Sequence, residues 1–349
     1  MKTKLFLFAV AAAALASCSN DETVAVNQGE AITFRPLVNS STRAADITSA
    51  SNLQSFNVYA FEQGTTTSPF IDNVKFTGPT TYSSQTKYYW QNYNLDFYAW
   101  SAHSTTTDAS SQVSTTVYNS YVVTPNTDAA NQADFIYATA ANVTKNTSGI
   151  PLTFSHKESR ILVKVKNTDS ALSFQITGWK LGFMAPNGTF NGSTWAPASA
   201  AATNVYTSDF TSSAQTINYD ASATTQLTGS QIMIPQGITG VTAYASSETN
   251  ALVNNAYIGI EYTATYISSS TEKKSKIWGI WPIPNVTWEA GKQYTYVIDL
   301  AGGGYYEKNK ADTDEKLDPI FENVEIKFVN VTVDDWITTA PAGDQNVNM

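Results

Sequence analysis

Apolar residues recur at every second position wherever a pattern can be read along this chain. Phe56, Val58 and Ala60 alternate with polar or partly polar neighbours, and Ile161, Val163 and Val165 do so against Lys164 and Lys166. Ile258, Ile260, Tyr262, Ala264 and Tyr266 prolong one such face, and Tyr294, Tyr296, Ile298 and Leu300 form another. A period of two puts alternate side chains on one face of a strand, whereas a helix repeats every three to four residues. Such alternation predicts antiparallel strands with one wet face, because parallel strands covered on both faces read as continuous apolar runs. Helical periodicity is nowhere sustained for three turns. Turn clusters such as "GTTTSP", "PNG", "NGS" and "AGGG" separate the runs. The expectation is an all-β protein built from sandwiches.

Two details refine this picture. In "VEIKFVNVTVDDW" Val324, Ile326 and Phe328 share one parity, and Val329, Val331 and Val333 take the other. A β-bulge or sharp bend between Phe328 and Val329 would bring both sets to the core side, so one or the other is predicted there. The polar stretch "ANVTKNTSG", residues 141–149, parts the apolar "DFIYA" from "IPLTF" and is the best domain boundary. It leaves units at 44–147 and 148–338, both of ordinary domain size, and a tail at 339–349.

The chain opens differently. Lys2 and Lys4 precede an unbroken apolar run from Leu5 to Ala14, then small residues. That is the layout of a secretory signal peptide, residues 1–17, and the run is shorter than the roughly 20 residues a membrane span needs. Cys18 is the one cysteine of 349 residues, so it closes no intramolecular disulfide. Leu15, Ala16, Ser17 and Cys18 resemble a bacterial lipobox, which implies cleavage before Cys18 and its acylation, with fatty chains such as palmitate. Two or three such chains hold firmly where one holds marginally. Asp21 and Glu22 resemble the acidic export signal of surface lipoproteins in the Bacteroides group. Residues 18–43 then read as a lipidated linker that carries a first strand.

Composition narrows the function classes. The net charge is -9 and charged residues are 14% of the chain, below the ~25% usual for soluble domains. An acidic chain without a basic stripe or a Gly-rich phosphate loop is not expected to bind nucleic acid. His103 and His156 are the two histidines, neither with a neighbour at metal-ligand spacing, so no metal or cofactor is expected. His156 reads as a half-buried imidazole at a strand end, bonded to a backbone carbonyl. Asp334 and Asp335 are adjacent on a predicted strand and point to opposite faces, so they make no catalytic dyad. No G-x-S-x-G elbow is present. An enzyme is not expected.

Six stretches occur in a telling order: "ITF" at 32–34, "STRAAD" at 41–46, "DFIYA" at 134–138, "LTFSHKESRILVKV" at 152–165, "GKQYTYVIDL" at 291–300 and "VTVDDW" at 331–336. Together they resemble the fimbrillin-like family of Bacteroides-group surface lipoproteins, the subunits of type V pili. The resemblance implies two transthyretin-like antiparallel β-sandwiches in tandem and a precursor anchored to the outer membrane by its lipid. It also implies cleavage by an arginine-specific protease in the early linker, where Arg43 of "STRAAD" is the matching position. The first strand then leaves, and a strand of another fimbrial subunit fills its groove. Here the leaving segment would be "AITFRPLV", residues 31–38, with Ile32, Phe34 and Val38 on one face. Pro36 shares that face and donates to no ladder, so this strand should be an edge or end there. The tail after Trp336, "ITTAPAGDQNVNM", has little apolar alternation and makes a poor groove filler, which leaves stalk, tip and anchor roles open.

A second reading comes from the aromatics. Tyr89 and Trp90 in "KYYWQNY", with Trp278 and Trp281 in "WGIWPIPNVTW", could form platforms for the sugar rings of a host or glycan receptor; sandwich cores also favour such residues. Asp169, Ser170 and Ala171 resemble the short O-glycosylation acceptor of Bacteroides-group secreted proteins, with Ser170 the modified residue.

Overall fold

In the computed structural model the described residues are 29–38, 53–103, 109–240, 255–267, 277–302, 305–306 and 328–336, and their regular structure is almost entirely β. The first strands are β1 (Phe34–Val38), β2 (Ser55–Glu62), β3 (Ile71–Thr77), β4 (Leu95–His103), β5 (Val113–Val117), β6 (Ser120–Val123), β7 (Asp134–Val143) and β8 (Ile150–His156). Then come β9 (Ser159–Asn167), β10 (Leu172–Met184), β11 (Gly188–Phe190), β12 (Trp195–Pro197), β13 (Ala201–Asp209), β14 (Gln215–Ile217), β15 (Asp220–Gln226) and β16 (Gln231–Met233). The last are β17 (Gly237–Ile238), β18 (Tyr257–Tyr266), β19 (Ile277–Pro282), β20 (Val286–Thr287), β21 (Lys292–Asp299), β22 (Tyr305–Tyr306) and β23 (Phe328–Asp335).

The first sheet has the order β1-β8-β7-β4-β2-β3. The alternation of Phe56, Val58 and Ala60 puts all three into one core with Phe97, Leu152 and Phe154. Their neighbours Tyr59 and Phe61 are buried too, in a second cluster on the opposite face with Trp100, Phe135 and Tyr137. The half-buried strand expected for β2 is therefore covered on both sides. The cover is a small sheet of order β12-β11-β6-β5, in which Tyr121 pairs with Phe190.

That cover sheet joins the two halves of the chain, because β11 and β12 lie well past residue 148. The first sheet itself also runs past it: the boundary at 147/148 falls between β7 and β8, two neighbours in one sheet. The polar stretch 141–149 is the end of β7 and the turn into β8, and the chain leaves this sheet only after His156.

Beyond that point two larger sheets face each other. One runs β13-β10-β18-β19-β22 with β14 on β10, the other β15-β9-β21-β23 with β16 on β9. Their shared core holds the alternating sets read from sequence, among them Ile161, Val163, Ile258, Ile260, Tyr296 and Ile298. The pairings β1 with β8 and β9 with β21 run parallel, a departure from the all-antiparallel expectation. In β9 the polar positions Lys164 and Lys166 keep the period of two although the strand is central, which hid its parallel neighbour. The bulge is where the parity change placed it. Ile298 pairs with Phe328 and Val297 with Asn330, so Val329 is the extra residue.

Candidate functional site

The first strand fills a slot in the first core. Ile32, Phe34 and Pro36 turn one face of residues 32–36 into that core, while Leu37 is 57% exposed on the other. Phe34 is fully buried and meets three rings edge-on: Phe76 at 4.8 Å, Phe97 at 5.4 Å and Phe56 at 5.7 Å between centroids. Edge-to-face packing sets the positive ring rim against a negative ring face, which adds to the gain from burial. Val38 ends the strand and pairs with Phe154, and its side chain lies outside what is described.

The backbone of this segment is held from both sides. On one side β1 runs parallel to β8, with Phe34 opposite Ile150, and the Ile150 N–H donates to the Thr33 carbonyl at 2.8 Å. On the other side Phe34 and Tyr82 exchange backbone hydrogen bonds at 3.0 and 2.9 Å, and Ile32 N–H reaches the Tyr88 carbonyl at 2.7 Å. Thr77 and Ser83 tie that second wall to the end of β3 at 3.0 and 3.1 Å. β1 is thus the edge of the ladder path, as the proline suggested, yet it sits in a slot with two walls and an aromatic floor. Since Phe34 bonds toward Tyr82, Pro36 presents its nitrogen on that side too, away from β8, and removes no bond from the β1–β8 ladder.

The remaining candidates are dispersed. Cys18 and Arg43 lie outside the described residues. Ser170 is exposed on the turn between β9 and β10, where Asp169 accepts from the Ala171 N–H at 2.8 Å. Trp90 belongs to the core of the first sheet and Trp281 to the core shared by the two larger sheets, so the two share no face. Tyr89 and Trp278 are half-buried, and Lys180 Nζ stands 4.2 Å over the Trp278 ring.

The sequence reading missed a buried polar junction between the halves. His156 does sit at a strand end, but it is almost fully buried and its Nδ1 lies 2.9 and 3.0 Å from the two carboxylate oxygens of Asp134, not against a backbone carbonyl. The indole of Trp336, fully buried, stacks on the imidazole at 4.3 Å and 15°. Next to them Glu158 is fully buried, and its Oε2 accepts the Phe135 N–H at 2.8 Å. Burial pushes the Glu158 carboxyl well above the ordinary range and the charge of Asp134 adds to this, while the Phe135 hydrogen bond opposes it. The signal was present, since Asp134, His156, Glu158 and Trp336 all fall in or beside the ordered motifs. Pattern alone gives no reason to bury charged residues there.

A family model described as fimbrillin-like matches residues 42–336. No curated protein gives a significant match. Among solved structures, a fimbrial protein from Bacteroides vulgatus aligns at 15% identity over 87% of this chain and 99% of its own, with a TM-score of 0.57. A candidate cell adhesion protein from Bacteroides ovatus aligns at 16% identity over 89% and 99%, with a TM-score of 0.46. The first of these likenesses is one of fold.

Proposed function

Since the chain belongs to the fimbrillin-like family, we propose that it is an adhesive fimbrial subunit of the cell surface, exported as a lipoprotein precursor and assembled by strand exchange. In this reading Cys18 carries the acyl anchor to the outer membrane, and cleavage after Arg43 separates the anchored segment from the rest. The two β-sandwich halves are of transthyretin-like type, and the partner is another fimbrial subunit. The observation that carries the reading is the slot around Phe34. The strand that fills it lies wholly on the N-terminal side of Arg43, so one cut severs it from the rest of its sandwich.

The physics of exchange follows. A vacated slot leaves a ladder of unpaired N–H and C=O groups along β8 beside an aromatic floor, and an extended segment from another subunit can satisfy both. Binding is selective because alternate side chains of that segment must match the positions of Ile32, Phe34 and Pro36. Mass spectrometry of the protein recovered from the native cell surface tests the whole reading at once. A mature chain starting at Ala44 supports cleavage and exchange. A chain starting at acylated Cys18 would reject exchange while keeping the anchor. The same spectrum reports on Ser170, where a glycan-sized mass on its peptide supports modification and the bare peptide rules it out.

A further inference from the structure

The slot has one weak wall. Among the described residues β8 pairs with β7 at only two positions, Ile136 with His156 and Tyr137 with Ser155, whereas it pairs with β1 at five, from Ile150 to Phe154. Strand geometry accounts for part of the difference. Lys157 N–H donates to the Phe135 carbonyl at 3.0 Å, so residues 157, 155, 153 and 151 direct their backbone groups toward β7. Position 151 is a proline, which brings no N–H to that side. At the turn end of the two strands a cleft of about 470 Å³ opens, lined by Ala140, Val143, residues 144–147, Ile150 and Pro151. Asn142, on the β7 side of this cleft, holds a left-handed φ of 54° where the pairing of β7 with β4 shifts register between Ala140 and Val143.

We propose that β8 is a hinged wall: residues 150–154 are held in the sheet by β1, and Ser155–His156 form the hinge. The hinge is fixed from below, because His156 is bonded to Asp134 of β7 and covered by Trp336. The buried side chains of Ile150, Leu152 and Phe154 keep the wall against the core, but its backbone ladder is supplied by β1. Loosening β1 therefore loosens β8 with it, and the acceptor is wider than one missing strand. The partner it fits is an extended segment running parallel to β8, which recaptures the wall as it enters; this last step rests on the strand-exchange reading, whereas the hinge is a property of the intact chain.

Hydrogen exchange on the intact protein tests the hinge without any cleavage. In the Phe34→Ala variant the amides of Ile150, Leu152 and Phe154 should exchange in step with those of Phe34, Arg35, Leu37 and Val38, and at least about tenfold faster than those of Tyr137, Ser155 and the strands β10 and β18, which follow only the global loss of stability. Exchange at 150, 152 and 154 as slow as along β7, beside a faster β1, would overturn the proposal, as would rates along β7 as fast as those of β1. If the alanine variant does not fold, Phe34→Leu provides the same comparison at lower amplitude. Failure of the exchange reading shows separately, as a mature chain that does not begin at Ala44.

Discussion

Truncating Phe34 to alanine removes a fully buried ring from the centre of an aromatic cluster. Loss of burial accounts for about 1.5–3 kcal/mol. A residual cavity of about 80 Å³ would add roughly 2 kcal/mol, because three rigid rings cannot collapse into the space. The sum, about 4 kcal/mol, lies within the ~3–5 kcal/mol usual for Phe→Ala in cores. At about 1.5 °C per kcal/mol for a chain of this length, the midpoint of thermal unfolding should fall by roughly 6 °C. Leu37→Ala is the control, since Leu37 lies on the same strand with its side chain 57% exposed and should cost less than about 0.5 kcal/mol. Circular dichroism melts of both variants, with urea titrations for the free energies, give the comparison. Equal losses for the two, or a Phe34 loss under about 1 kcal/mol, would refute the claim that the slot is filled by side-chain packing.

Two further outcomes follow from the junction. Glu158 has a folded pKa raised above its ordinary 4.5, so the folded state holds the proton more tightly than the unfolded chain. Its contribution to stability is then fully present below about pH 4.5 and is lost as pH rises toward the folded value. Glu158→Gln keeps an oxygen for the Phe135 N–H and should raise the melting midpoint at pH 8 relative to the parent, with the difference vanishing below pH 4.5; melts across pH that run parallel for both proteins would contradict this. Trp336→Ala should cost about 3–5 kcal/mol in urea titration, because it strips the buried cover from His156. A loss below about 1 kcal/mol would mean that Trp336 does not secure the end of β23.

Sequence and structure agree most closely where packing is two-faced in a simple way. The sets on β9, β18 and β21 could be read because each strand gives one face to the shared core and a mostly polar face to the other side, with Leu162 and Val297 as buried exceptions. The extra residue at Val329 was legible for the same reason: a strand that keeps one face in the core can change parity only by leaving a residue out of the ladder. The second cover of β2 was not legible. Tyr59 and Phe61 carry aromatic rings that suit either a wet or a buried face, and what buries them arrives from β11, about 130 residues later. The slot was half legible. Ile32, Phe34 and Pro36 announced a face by alternation, but the wall at residues 82–90 contains no strand pattern that could have been recognised. The junction was hidden because charged residues normally read as surface, and only the fold shows that Asp134, His156 and Glu158 come together.

The sheet shared between the halves has a mechanical consequence. Two domains joined only by a linker swing by default, and tension along such a pair is taken first by the linker. Here β11, from the second half, is hydrogen-bonded to β6, from the first, and Phe190 is packed among Tyr121, Phe135 and Tyr137. A pull on the chain cannot lengthen it at the joint until that sheet shears and its aromatic layer is exposed to water. Such a molecule transmits load stiffly up to a threshold and then yields in one step.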